Sequence, residues 1–207
     1  MIRQRRHPAA TMATVRLEAF TDGVFAIAAT LLVLDLTMHS LGEVDSDAAL
    51  WDALAGMWPL FLNFALSFLL LCLLWMTHVQ QFEFVARVDG PMVWLNNLRL
   101  LFIVLVPFAT GLTTEYSDFV AGRVAMPVAF FFAILFSWLQ WRWAVRRREV
   151  MLPGLTDAQA RSYGRGALSA LLIAAVVVVL SPLIGSAAFL LFLFDGLLTR
   201  ALRGEGG

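Results

Sequence analysis

Long apolar runs alternate with short polar stretches along this chain, and the runs have the length of membrane spans. A helix that crosses a hydrocarbon core needs ~20 residues. On that measure the runs predict six helices, at about 16–38, 54–78, 92–112, 119–141, 164–181 and 186–202. The breaks are polar or turn-forming. Residues 39–53 carry Glu43, Asp45, Asp47 and Asp52 and no lysine or arginine, and the next break holds Gln80, Gln81, Glu83, Arg87 and Asp89 before Gly90-Pro91. Glu115, Asp118 and Arg123 mark the third break, and Arg142, Arg146, Arg147, Arg148 and Pro153-Gly154 the fourth. Ser181-Pro182 and Gly185 turn the chain between the last two runs, which are close enough that a re-entrant pair is an alternative to two full spans. The predicted fold is therefore all-α and polytopic, with six transmembrane helices over residues 16–202. Residues 1–15, with Arg3, Arg5, Arg6 and His7, form a cytoplasmic tail, and 203–207 a short C-terminal one.

Composition narrows the class. Of the 207 residues, 60% are hydrophobic, and the mean hydropathy is +0.80. A soluble domain of this size has too little interior for that much apolar surface. Net charge is zero, but its distribution is uneven: all fifteen basic residues are arginine. With the N-terminus inside, thirteen of the fifteen fall in inside segments, while the outside loops hold only Arg123 against six acids. Arginine bias therefore predicts both termini on the cytoplasmic side. The first apolar run is long and lacks a small-residue cleavage site, so the N-terminus is expected to stay. The lone Cys72 sits in an apolar run and has no partner for an intrachain disulfide. No Gly-rich phosphate loop, zinc spacing or nucleophile elbow occurs. No catalytic constellation or cofactor is expected. The arginines at 142–148 border a membrane helix, which fits topology anchoring or anionic-lipid contact better than nucleic acid.

The first helix has an unusual mouth. Arg16, Glu18 and Asp22 precede a run from Gly23 to Leu34 that carries no charge and one hydroxyl. Gly23, Ile27, Thr30 and Leu34 recur at steps of four, three and four, which places them on one face of a helix. Such a stripe serves either plain packing or a pore wall. Glu18 and Asp22 are i, i+4 neighbours of like charge, so Asp22 needs another partner. The candidates at the same depth are His78, Asn96 and Asn97. Arg99, two turns into the third helix, either snorkels to the headgroups or pairs with Asp22 or Asp195. His78 has the chemistry for pH-sensitive gating. Asp35, near the outer end of the first helix, offers an acidic outer mouth if several copies surround one axis. Trp51, Trp58, Trp75, Trp94, Trp138, Trp141 and Trp143 lie near span ends, as interface anchors do.

Arg16-x-x-x-Phe20-Thr21-Asp22, opening a first membrane helix that continues through Ala28, Ala29, Thr30 and Leu31, resembles the signature of the endosomal/lysosomal potassium channels (the transmembrane protein 175 family) in their single-repeat bacterial form. Thr21 replaces the usual serine and keeps the hydroxyl. The resemblance returns at Leu74-Trp75-Met76-Thr77-His78, at Trp94-Leu95-Asn96-Asn97 and at Pro107-Phe108, so it spans about residues 13–116. It implies a homotetramer in the inner (plasma) membrane, with four first helices around a central pore. It also implies hydrophobic constrictions at Ile27 and Leu34, a hydroxyl ring at Thr30 and permeant potassium near Ile27 and Thr30. Arg16, Phe20, Thr21, Asp22, Trp75, His78, Trp94, Asn96 and Asn97 match positions of a polar network beside the pore. No Thr-Val-Gly-Tyr-Gly filter is present, so a ring of side chains would have to set a modest preference for potassium. The rival readings are a small proton-coupled transporter built on Asp22, His78 and Arg99, and a non-conducting membrane scaffold.

Overall fold

A computed structural model describes residues 12–36, 41, 44–147, 150–151 and 154–204. Helix α1 covers Val15–Leu31 and tightens into a 3₁₀ turn at Leu32–Leu36. A short helix α2 (Asp47–Gly56) follows, capped by Ser46, whose hydroxyl accepts from the Ala49 N–H at 3.2 Å. The long helices are α3 (Trp58–Phe82), α4 (Gly90–Glu115), α5 (Val120–Arg146) and α6 (Asp157–Ile184). A 3₁₀ limb (Gly185–Phe194) and helix α7 (Asp195–Gly204) end the described chain.

Five stretches are long and apolar enough to cross a membrane by length and composition, against six expected. The first four are the first four expected helices, extended at several ends. The fifth, Asp157–Arg200, joins the last two expected helices. It is not straight. Gly185 has φ 57°, a conformation that costs glycine little, and the chain reverses there. Ser169 Oγ then meets Asp195 Oδ1 at 2.6 Å, so the limb after Gly185 runs back along α6.

The last residues of the expected N-terminal tail fall within the described chain. Met12 and Ala13 form a strand, β1 (Met12–Ala13), that pairs antiparallel with β2 (Arg87–Val88) in the link between α3 and α4. Of the tail residues singled out, Arg3, Arg5, Arg6 and His7 lie outside the described residues.

Two apolar clusters organise the packing. The larger runs through the middle of the bundle and includes Phe25, Leu71, Ile103, Met126, Phe130 and Val177. The smaller gathers the start of α1, the end of α3, the start of α4, the end of α5 and the start of α6 around Leu17, Phe82, Met92, Trp141 and Ala160. Five helix ends therefore share one side of the bundle, as alternating spans require. Between helices in lipid, apolar burial drives little, and close packing and interhelical hydrogen bonds supply the specificity. Ser67 and Thr110 share such a bond at 2.8 Å, Asn63 donates to Thr114 at 3.3 Å, and Thr113 donates to the Gly122 carbonyl at 2.8 Å.

Candidate functional site

Helix α1 has two distinct faces. Leu17, Thr21, Phe25, Ala28 and Leu32 recur every three or four residues and are buried against α3 and α4. Gly23, Ile27, Thr30 and Leu34 are exposed, with Ile27 at 61% and Leu34 at 59%. Phe20, Ala26, Leu31 and Val33 widen that exposed face beyond the four-residue stripe. A Cβ placed on Gly23 would meet nothing within 4 Å. Thr30 donates its hydroxyl to the Ile27 carbonyl at 2.8 Å. That bond commits the proton and leaves the oxygen's lone pairs as acceptors. The side chain of Asp35, expected at an outer mouth, lies outside the described residues.

The polar residues of the first helix make two neighbouring contacts. Asp22 accepts a hydrogen bond from Trp75 Nε1 at 2.8 Å. Thr21, buried one residue earlier, accepts from Asn96 Nδ2 at 2.9 Å. Consecutive residues on a helix point ~100° apart, so Thr21 reaches α4 while Asp22 reaches α3. His78 is buried and lies against Arg99, with Nη1 3.3 Å from Nδ1. Arg99 Nη2 donates to the Leu74 carbonyl at 2.6 Å, and the guanidinium lies 5.7 Å from the centre of the Phe25 ring.

These contacts correct two expectations. The partner of Asp22 is Trp75, and His78, Asn96 and Asn97 do not fill that place. Arg99 neither snorkels nor pairs with Asp22 or Asp195: it is 0% exposed and finds a carbonyl, an imidazole and an aromatic face inside the bundle. Arg16, Phe20, Trp94 and Asn97, grouped with the polar network, are exposed on this protomer. Trp75 is a hydrogen-bond donor to the motif as well as a residue near a span end. Trp141 and Trp143 are likewise more than interface anchors. Trp141 is buried with its ring centre 4.3 Å from that of Tyr163, and Trp143 donates to Asp89 at 3.0 Å.

Asp89 is a further organising residue. Its carboxylate caps α4 by accepting from the Met92 N–H at 3.1 Å, holds Trp143, and lies 3.8 Å from Arg147 Nε. Asp89-Gly90-Pro91 is a readable start signal for a helix, because a carboxylate before a proline-bearing first turn satisfies orphan N–H groups. Among the described residues no cluster of three or more His, Cys, Asp and Glu is placed to hold a metal ion.

Comparison with known proteins gives these contacts a family. Residues 16–107 match the family described as Endosomal/lysosomal potassium channel TMEM175. A protein of Streptomyces collinus described as a potassium channel is 35% identical over 190 residues, covering 87% of this chain and 90% of that protein. A Gallus gallus protein described as the endosomal/lysosomal proton channel TMEM175 is 34% identical over 148 residues, which is 67% of this chain and 30% of that longer protein. The crystal structure of a lysosomal potassium-selective channel TMEM175 homolog from Chamaesiphon minutus superposes with a TM-score of 0.63 at 33% identity, covering 90% of this chain and 97% of that one. Identity sustained over most of both chains, on the same fold, carries one conclusion: this chain belongs to the TMEM175 family.

Proposed function

We propose that the protein is a potassium-preferring cation channel, a homotetramer whose central pore is lined by the exposed face of α1. The observation that carries this reading is the exposed placement of Ile27, followed at helical spacing by Thr30 and Leu34 and opposite a fully packed face. One helix cannot enclose a pore, so four copies supply the wall. A ring of Ile27 side chains is dry at rest and gates by dewetting. The Thr30 oxygens, with their protons committed to the Ile27 carbonyls, replace part of an ion's hydration shell. The Streptomyces and Chamaesiphon relatives, described as potassium channels, support the choice of ion.

The chain crosses the inner (plasma) membrane six times in this reading, with both ends cytoplasmic. The distribution of arginines supports the orientation, and the reversal at Gly185 supports counting the last stretch as two crossings. At the rises of 3₁₀ and α helix, the limb and α7 together extend about 35 Å, enough for the ~30 Å core. Residues 1–15 and 203–207 flank the channel domain. Asp35 from four copies forms an acidic outer mouth that concentrates cations. The coupled-transporter reading needs Asp22, His78 and Arg99 to act together, and the bonding of Asp22 to Trp75 speaks against it.

The test is flux from liposomes carrying the purified protein, under outward gradients of potassium, sodium, protons and a large organic cation. The channel reading expects potassium flux above sodium flux and none for the organic cation. Proton flux alone, or no flux, would overturn it.

A further inference from the structure

A cavity of about 420 Å³ lies between α3, α5, α6 and the limb that follows Gly185. Pockets of ~300–1,000 Å³ hold small organic ligands. Leu70, Phe130, Ile134 and Phe189 make its walls mostly apolar, Thr77, Gln80 and Ser137 add polar edges, and Gly166 on α6 leaves room where a side chain would stand. Tyr163 donates to the Thr77 carbonyl at 2.8 Å and ties α6 to α3 at one end of the space. Asp195 also lines the cavity. It accepts from Ser169 at 2.6 Å, and among the described residues no arginine or histidine pairs with it. On the six-crossing reading proposed above, on which this depth rests, Asp195 lies at the rise of a 3₁₀ helix about 20 Å from the outer turn at Gly185, within a ~30 Å hydrocarbon core. A carboxylate at that depth is costly to keep and marks a functional site unless it is paired. A neutral acyl chain would fill the walls but give the carboxylate no partner.

We propose that this cavity is a binding site for a cationic amphiphile, a protonated amine on an apolar chain, with the amine against Asp195 and the chain among the apolar walls. Trp138, Phe192 and Tyr163 line the same space and add aromatic surface for the chain. The site lies away from the exposed face of α1 and does not depend on conduction.

The experiment uses the full chain in phosphatidylcholine vesicles at pH 7, with dodecylamine carrying a photoreactive diazirine and the matching diazirine dodecanol as control. Crosslinked positions are mapped by mass spectrometry. The amine should label the segments bearing Trp138 and Phe192 saturably, and D195N should cut that labelling about tenfold while leaving the alcohol's labelling unchanged. The amide introduced by D195N still offers an oxygen to Ser169, so this variant keeps the internal bond. G166L, which fills the space, should remove labelling by both probes. Protection by phosphatidylethanolamine added to the vesicles would assign the amine to a lipid headgroup, and protection only by free dodecylamine would assign it to a soluble amphiphile. Equal labelling by amine and alcohol that ignores D195N, or labelling that avoids the cavity, would overturn the proposal. The readout is covalent mass, so its failure is distinct from a failure of the channel reading.

Discussion

Trp75 and Asp22 join α3 to the polar mouth of α1 through one hydrogen bond, indole Nε1 to carboxylate Oδ1 at 2.8 Å. The neighbouring Thr21 is held by Asn96 of α4 at 2.9 Å. Two consecutive residues of the motif thus fix the rotation of α1 against two different helices. That rotation determines which face of α1 is left exposed, so the contacts and the exposed stripe are one feature. The pair is testable by a double-mutant cycle. W75F and D22N should each lower stability, with a coupling of about 0.5–1.5 kcal/mol because the bond is partly solvated. Denaturant titration of the purified protein checks it, and strictly additive effects would show that the bond contributes nothing.

Arg99 should tolerate no replacement. R99A leaves His78 and the Leu74 carbonyl facing a void and is expected to cost about 2–5 kcal/mol, read as loss of folded protein on gel filtration after heating. R99K should not rescue it, because a compact ammonium cannot reach the Leu74 carbonyl, the His78 ring and the Phe25 face at once. Full recovery by lysine would mean that the charge alone matters.

Gly122 is constrained by its surroundings. A Cβ there would overlap the Tyr116 carbonyl oxygen, and the Gly122 carbonyl already accepts from Thr113. Because backbone and not a flexible side chain is in the way, G122A should exceed the usual overpacking cost of about 1–3 kcal/mol. An unchanged melting temperature would contradict this packing of α4 against α5.

Asp89 closes the side of the bundle where five helix ends meet. D89A removes the α4 cap and the partner of Trp143, at an expected cost of about 1–3 kcal/mol. Arg87 is exposed in the adjoining strand, so limited trypsin digestion should cut there faster in D89A than in the parent protein. Equal cutting rates would mean that Asp89 does not hold the link.

Much of this architecture is legible in the apolar runs, because a bilayer demands length and hydrophobicity that few other environments require. Boundaries are less so. α3 continues through Gln80 and Gln81 to Phe82, and α5 through Arg142 to Arg146, since backbone bonding carries a helix beyond its apolar stretch. Helix α2 hides in an acid-rich segment whose Ser46 cap is its one signal. Depth follows from sequence position, and it brings His78, Asn96 and Trp75 to one level. Azimuth does not follow so simply, and azimuth alone decides that Asp22 meets Trp75 while Thr21 meets Asn96. The burial of Arg99 is illegible for a related reason. Its shelter is built from the Leu74 carbonyl, His78 and Phe25, on two other helices, and only tertiary packing assembles it.

The most direct test of the central claim compares potassium flux from liposomes bearing I27N with flux from liposomes bearing V179N. Both residues are exposed on a single protomer, Ile27 on α1 and Val179 on α6. If the exposed face of α1 lines the pore, I27N wets the constriction and raises potassium flux severalfold, while V179N leaves it unchanged. Folded I27N protein with unaltered flux would contradict the account and take α1 away from the ion path.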